Sequence, residues 1–350
     1  CSLVYISKSK KTCGEEEEME SFVNGALKQA KEFGMSDVHV GVANIKVVGC
    51  GGGGSNTVTW LHKKGIQGAE VVALNTDKQH LEISSADYKI LIGKELTRGL
   101  GCGGFPDKGR EAAKESLHDL KEVLKGSDMV FVCAGLGGGT GSGSAPVVAQ
   151  IAREQGAIVI GTVTMPFDIE RARVDKAEFA LQQLREVSDT VIVIDNNRLT
   201  SIAGNLPIQQ AFAVANELIS TMIKGIVETI AVPSLVNLDY ADVKAIMSNG
   251  DVSVVGIGES DTDSRVEEAT RRALTNPLLD VSYDGATGAL IHITGGEDLT
   301  LDEVNRTGEL ITESLDPDAN VILGARIDPG MKGKIRVMSI ITGVNSPYIL

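Results

Sequence analysis

Ala134-Gly135-Leu136-Gly137-Gly138-Gly139-Thr140-Gly141-Ser142-Gly143-Ser144 stands between two very different runs. Before it, Met129-Val130-Phe131-Val132-Cys133 reads as a buried strand; after it, Ala145 to about Glu154 reads as a helix. Six glycines within nine residues leave the backbone N–H groups bare of side-chain cover. A strand, a bare loop and a helix N-terminus together make an anion cradle. The loop is therefore expected to hold a phosphate-bearing ligand.

A second cluster lies upstream. Gly49-Cys50-Gly51-Gly52-Gly53-Gly54-Ser55-Asn56 follows a strand-like run and precedes a helix expected over Thr57–Lys64. Gly49, Gly51 and Gly54 fit the dinucleotide spacing G-x-G-x-x-G, a weak signal in so glycine-rich a stretch. Neither cluster matches G-x-x-x-x-G-K-[ST], and Gly93-Lys94 lacks both the upstream glycine loop and the following hydroxyl. A Walker-type loop is excluded. Two clusters at one sheet edge can instead hold a longer phosphate chain from two sides.

Around these clusters strands and helices alternate. Strands are expected at Ile45–Val48, Glu70–Leu74, Lys89–Ile92, Met129–Cys133, Ile158–Thr164 and Thr190–Ile194, with helices at Lys108–Leu124 and Asp175–Val187. Such alternation predicts an open, mainly parallel sheet covered on both faces, with its ligand at the C-terminal strand ends. Pro207 then opens a long helix whose apolar residues, Ile208 to Val227, cover most of its circumference. Such a helix is expected to be buried between two layers or domains. Beyond Val232-Pro233-Ser234, strands at 253–257, 289–294, 320–325 and 334–341 with helices at 263–274 and 301–314 form a second α/β unit. At the N-terminus, residues 1–14 read as a disordered polar leader. Residues 15–33 read as a helix striped by Met19, Phe22, Val23, Ala26, Leu27 and Ala30, either packed on the main body or anchoring a partner protein.

The chain has 350 residues, with 42% hydrophobic and 23% charged, ample for a large core. Its formal net charge is −14 and no dense Lys/Arg block appears, so no nucleic-acid partner is expected. Phosphate must be bound by backbone dipoles and a metal ion. Five scattered cysteines without a C-x-x-C fit free thiols in a reducing cytoplasm. The histidines lie far apart, and no apolar run reaches the roughly 18–20 residues of a membrane span, so no direct membrane insertion is expected. The chain opens on Cys1, so its natural N-terminus is expected upstream.

Gly138-Gly139-Thr140-Gly141-Ser142-Gly143 resembles the signature loop of the tubulin/FtsZ family. Further motifs agree in order: Gly51-Gly52-Gly53-Gly54-Ser55-Asn56, Asn75-Thr76-Asp77, Leu96-Thr97-Arg98-Gly99-Leu100-Gly101, Met165-Pro166-Phe167 and Asn237-Leu238-Asp239-Tyr240-Ala241-Asp242. The resemblance spans residues 44–343. It is closest to FtsZ, the prokaryotic cell-division GTPase, and residues 167–173 and 195–199 resemble its archaeal constriction-type branch. It implies a tubulin/FtsZ-like α/β fold: a mainly parallel, Rossmann-like GTP-binding domain (44–206), a central helix (207–229) and a C-terminal GTPase-activating domain with a mixed sheet (230–343). An N-terminal extension (1–43) and a short tail (344–350) flank these.

The resemblance also implies roles. Gly51, Gly52, Gly53, Ser55 and Asn56, with Gly137, Gly138, Gly139, Thr140 and Gly141, wrap the phosphates of GTP or GDP. Asn75 and Asp77 lie near the phosphates, and Asp77 near Mg²⁺. Gly101 and Gly103 lie in a flexible loop by the γ-phosphate. Glu170 and an arginine, Arg171 or Arg173 with Arg173 preferred, contact the ribose, and Pro166 joins the nucleotide-binding set. Asn196, Phe212 and Asn216 hold the guanine, the last two on one helix face. By pattern alone Phe212 reads as a core residue, and Asp239 and Asp242 as the opening of a helix. Two positions depart from common family usage: Ser55, which still offers a hydroxyl, and Asn216, whose amide is expected to discriminate guanine from adenine less sharply than an aspartate.

If Asn216 touches the base, the helix runs thirteen residues further to Thr229, about 20 Å at ~1.5 Å per residue. Asp239 then lies far from its own nucleotide and reaches that of the next molecule in a head-to-tail stack. Such a non-closing contact generates filaments. There Asp239 and Asp242 orient or polarise the attacking water, and Asn237 adds a hydrogen bond, while metal and backbone N–H groups carry the developing charge. The expectation is a cytoplasmic GTPase that polymerises at the mid-cell division ring. A membrane-tethering adaptor and other division proteins are its expected partners. The alternatives are an NAD-dependent oxidoreductase using Gly49–Gly54, a non-hydrolysing scaffold, and a paralogue controlling cell shape.

Overall fold

The computed structural model describes residues 43–231, 240–247, 253–275, 283, 286–313 and 315–344. The leader, the 15–33 helix and the tail after Val344 lie outside these, as do Asn237 and Asp239. The first layer contains β1 (Ile45–Cys50), α1 (Gly51–Lys64), β2 (Ala69–Asn75), α2 (Lys78–Ile83), β3 (Tyr88–Leu91), α3 (Lys94–Thr97), α4 (Pro106–Glu115) and α5 (Leu117–Leu124). It continues through β4 (Met129–Gly135), α6 (Thr140–Glu154), β5 (Ile158–Met165), α7 (Ala172–Val187), β6 (Thr190–Asp195) and α8 (Asn196–Ala203). All six strands run parallel in the order β3-β2-β1-β4-β5-β6. The order reverses between β1 and β4, and both glycine clusters leave the sheet there, at the crevice where such sheets bind ligands.

Burial on both faces explains the unbroken apolar strands. In β4, Met129, Phe131 and Cys133 join the core on one face, shared with the long helix and the second sheet. Val130, Val132 and Ala134 join the other, under α6 and α7. The two-residue period of a strand sends neighbours to opposite cores.

The long helix α9 (Ile208–Ala231) is buried over its C-terminal part, by Ala215, Ile219, Met222, Ile223, Ile226 and Val227. Its first turns are not buried, contrary to expectation: Ile208 is 71% and Phe212 40% exposed, because they border an open cleft. Next come α10 (Tyr240–Met247), β7 (Ser253–Ser260), α11 (Arg265–Leu274), β8 (Gly288–Gly295), α12 (Leu301–Thr312), β9 (Asn320–Ile327) and β10 (Ile335–Thr342). These strands form a mixed sheet in the order β7-β10-β8-β9; β10 is antiparallel to β7 and β8, and β8 parallel to β9.

Three helices differ from expectation. The helix expected over Lys108–Leu124 breaks at Ser116, whose Oγ accepts from Gly93 N at 3.2 Å. α1 starts at Gly51, not Thr57, and α6 at Thr140, not Ala145. In both, glycines with poor helix propensity are helical because tertiary contact holds them, which overrides propensity.

One ion cluster ties the second unit together. Arg265, on α11, donates to Glu303 of α12 at 2.7 and 3.0 Å and to Asp298 at 2.6 Å. The guanidinium hydrogen bonds hold both carboxyls below their ordinary range. A depressed carboxyl stabilises the fold above the unfolded-state pKa and loses that contribution as pH falls through the folded value. Arg265→Ala is therefore expected to lower Tm by about 2–4 °C at pH 7, with the gap to the parent narrowing as pH falls below about 4. Thermal melts across pH check this; a gap constant with pH would refute it.

Candidate functional site: a nucleotide-type cleft at the strand ends

A cleft of about 480 Å³ opens at the C-terminal strand ends, within the range of small-molecule sites. Gly53, Asn56 and Thr57 of α1 form one wall, with Gly135 and Leu136 at the end of β4. Thr164, Pro166, Phe167, Glu170 and Arg173 follow from the β5–α7 connection, and Asn196 from the end of β6. Ile208, Phe212, Ala215, Asn216 and Ile219 of α9 close it.

The α9 wall suits a flat, polar-edged ring. Phe212 and Phe167 meet edge to face, with centroids 6.2 Å apart and planes at 65°. Asn216 sits one turn along, and its Oδ1 accepts from Thr57 Oγ1 at 3.2 Å. Asn196 opens α8, whose N-terminus is capped by Asp195 accepting from Asn197 N at 2.8 Å. Asn197 also clasps Asp168, through Nδ2 to its carboxylate at 2.9 Å and through Oδ1 to its N–H at 3.0 Å. That clasp fixes the 166–170 turn, where Glu170 accepts from Phe167 N at 3.0 Å and pairs with Arg173. Arg173 further donates to Gly137 O at 3.4 Å, joining this turn to the signature loop. Arg173 lines the cleft, whereas Arg171 adopts φ 41° at the start of α7.

The glycine clusters converge. A Cβ on Gly51 would lie 2.6 Å from Gly141 N, and one on Gly53 3.0 Å from Gly135 Cα, so only glycine permits this approach. Gly51, Gly137, Gly139 and Gly141 are buried in the junction, while Gly52, Gly53 and Asn56 face outward and Gly138 and Thr140 are half-buried. Thr140 Oγ1 hydrogen-bonds Thr76 Oγ1 at 2.7 Å, and Cys102 Sγ donates to the same oxygen at 3.4 Å. Gly101 N donates to Thr76 O at 3.1 Å, which seats the 101–105 loop, with Gly101 and Gly103 at positive φ, beside the signature loop. Asn75 is 3% exposed and its Oδ1 accepts from Thr76 N at 2.9 Å, so it shapes the turn from within.

Asp77 caps α2, its Oδ1 accepting from His80 N at 3.0 Å, which leaves Oδ2 outside the cap. Among the described residues no three His, Cys, Asp or Glu side chains are grouped for a metal. A lone carboxylate beside a phosphate cradle suits Mg²⁺, which takes one or two carboxylates and completes its shell from phosphate and water. Ser55 differs from expectation: it is wholly buried, and its hydroxyl has no partner and no access to the cleft. Cys50 is wholly buried too; desolvation pushes its thiol up to about 12, with Ser144 opposing weakly, so it is inert.

Asp242 lies elsewhere. It is half-buried near the start of α10, two residues after Tyr240, whose hydroxyl donates to Asp128 O at 2.6 Å. Asp128 precedes β4, whereas the cleft is built from the other end of that strand. At ~3.3 Å per residue, β4 separates the two by about 20 Å. Thr57 and Phe167 carry site geometry that no role was expected for. Thr57 lies four residues after Gly53, a spacing that matters only once α1 is known to begin inside the glycine cluster.

Two family models match the chain: the Tubulin/FtsZ family GTPase domain over residues 44–204, and the FtsZ family C-terminal domain over 251–345. The chain is 62% identical over 313 residues to "Cell division protein FtsZ 2" of Methanocaldococcus jannaschii, covering 89% of this chain and 82% of the relative. It is 55% identical over 310 residues to "Cell division protein FtsZ 2" of Halobacterium salinarum, covering 89% and 79%. Among solved structures, "FtsZ dimer, empty" of M. jannaschii superposes with a TM-score of 0.81 at 48% identity, over 94% of this chain and 92% of that one.

Proposed function

The chain belongs to the FtsZ family of tubulin-like GTPases, and on that footing we propose how its residues divide the work of binding GTP, assembling and hydrolysing. It is a GTP-hydrolysing, self-polymerising cell-division protein whose active site is completed between adjacent copies. The oxidoreductase alternative is not supported, since the GTPase-domain match spans both glycine clusters.

In our reading the phosphates lie over Gly52, Gly53, Gly138 and Thr140, with Gly101 and Gly103 at the γ-phosphate. Glu170 and Arg173 hold the ribose, and Phe212, Asn216 and Asn196 the guanine. Asp77 would hold Mg²⁺, which supplies charge neutralisation at the phosphates. Asn237, Asp239 and Asp242 act on the nucleotide of the neighbouring copy, orienting water for in-line attack while backbone N–H groups face the developing charge. We assign residues 44–206 to GTP binding, 207–229 to the connecting helix and 230–343 to activation.

The observation that supports this division most is the Tyr240–Asp128 hydrogen bond, which ties α10 to the end of β4 opposite the cleft. No carboxylate on α10 can reach its own nucleotide across that strand. The filament is read as acting in the cytoplasm, at the division ring, held to the membrane by an adaptor and working with other division proteins. No described helix is long and apolar enough to cross a membrane, and the net charge of −14 argues against nucleic acid.

The base site is testable. Purified chain should carry guanine nucleotide, with ATP a weak competitor. Asn216→Asp places a carboxylate where guanine presents two N–H donors, and is expected to raise the preference for GTP over ATP about tenfold. Competition binding measures the ratio; an unchanged ratio would remove Asn216 from the base site.

A further inference from the structure

A second cleft, of about 240 Å³, lies between α9 and the second sheet, bordered by the C-terminal end of α1. In a chain of net charge −14 its lining gathers four cations, Lys64, Lys224, Arg326 and Arg336, against two carboxylates, Glu228 and Asp328. Three of the cations have partners: Lys64 pairs with Glu217, Lys224 with Glu228 at 3.6 Å, and Arg336 with Glu259 at 2.8 Å. Arg326 makes no ion pair among the described residues. Asp328 is engaged locally, its Oδ1 accepting from Gly330 N at 2.9 Å. His292, 6% exposed, also lines the cleft, and its Nε2 has no hydrogen-bond partner.

We infer that this cleft binds a small phosphate-type polyanion, of pyrophosphate size, on Arg326 and Lys224. A guanidinium suits an oxyanion bidentately, and Lys224 is held only by a long pair to Glu228 that a stronger anion can displace. The cleft has half the volume of the nucleotide cleft, which suits an ion of pyrophosphate size. Desolvation and then the charge of Arg326 push His292 down to about 4; an anion paired with Arg326 removes that second cause. The cleft has a built-in reporter. Trp60, the only tryptophan of the chain, donates to Glu217 at 2.6 Å, and the same Glu217 pairs with Lys64 in the cleft lining. An anion that draws on Lys64 alters the surroundings of the indole.

The test is calorimetric titration of pyrophosphate into the full chain saturated with GDP, at constant ionic strength, with Trp60 emission followed in parallel. One saturable site per chain is expected, with emission changing along the same isotherm. Arg326→Ala and Lys224→Ala should each weaken it about tenfold, Arg326→Lys, which keeps the charge but not the bidentate fork, should fall between the parent and Arg326→Ala, and GDP binding should be unchanged in all three. GDP affinity reports folding and the nucleotide site separately. If one alanine variant loses GDP binding, the other decides. No saturable heat in the parent chain, or parental affinity in both alanine variants, overturns the proposal.

Discussion

Asp239→Ala is expected to lower GTP turnover about 10²–10⁴-fold, the usual cost of losing a group that positions or deprotonates a nucleophile, while GTP affinity stays at the parental value. The split follows from placement. The nucleotide cleft is built from α1, the ends of β4, β5 and β6, and the start of α9. Residue 239 immediately precedes α10, which Tyr240 ties to the start of β4, about one strand length from the cleft. In our reading Asp239 meets only the nucleotide of the neighbouring copy, so its loss is expected to leave the binding of its own copy's GTP unchanged. We propose further that hydrolysis releases the contacts between copies, so filaments of the variant should also persist once formed. Asp242→Ala, one turn further, should act in the same direction. Steady-state turnover and an equilibrium GTP isotherm on the same preparation decide it; loss of affinity parallel to loss of turnover would place Asp239 in its own copy's binding site.

Gly143→Ala is expected to destabilise the fold by about 3 kcal/mol and to weaken GTP binding at least tenfold, although residue 143 touches no part of the cleft. A Cβ there would lie 2.1 Å from Pro106 O and 2.5 Å from Arg110 N, both backbone atoms of α4. No side chain can rotate out of the way, so α4 and α6 must separate. The reciprocal contact makes the effect specific: a Cβ on Gly109 would lie 2.3 Å from Gly139 O, within the signature loop itself. Two helices touching through two glycines hold that loop in register, and displacement of a positioning element by about 1 Å costs on the order of 10²-fold where geometry must be kept. Thermal melts and a GTP isotherm test this. A parental Tm with parental affinity would show that the helix pair can relax without disturbing the loop.

These two positions mark what a sequence can and cannot disclose. The six parallel strands were legible because strands buried on both faces are apolar throughout, and Met129–Cys133 admits no other reading in that setting. That the glycine clusters leave the sheet at strand ends was legible because each follows an apolar strand run and precedes a helix. Phe212, Asn216 and Asn196 were legible only through family resemblance; periodicity alone would have put Phe212 in the core, and it is instead 40% exposed at the cleft. What stayed hidden depends on contacts between segments distant in sequence. The helical state of Gly51–Gly54 is imposed by the close approach to Gly135 and Gly141, which also conceals the role of Thr57. The break at Ser116 is set by Gly93, twenty-three residues earlier. Ser55 offers a hydroxyl in sequence and buries it in the structure. The remoteness of Asp242 from the cleft has its measure in the length of β4, whereas Asp239, for which helix length predicted it, lies outside the described residues.

The claim that each active site needs two copies is tested most directly by GTP turnover per chain as a function of protein concentration, with light scattering recorded in parallel. Turnover near zero below a threshold, rising together with scattering above it, is the predicted result. Turnover per chain that stays constant down to nanomolar protein, with no scattering, would mean that a single copy hydrolyses its own GTP and would contradict the account.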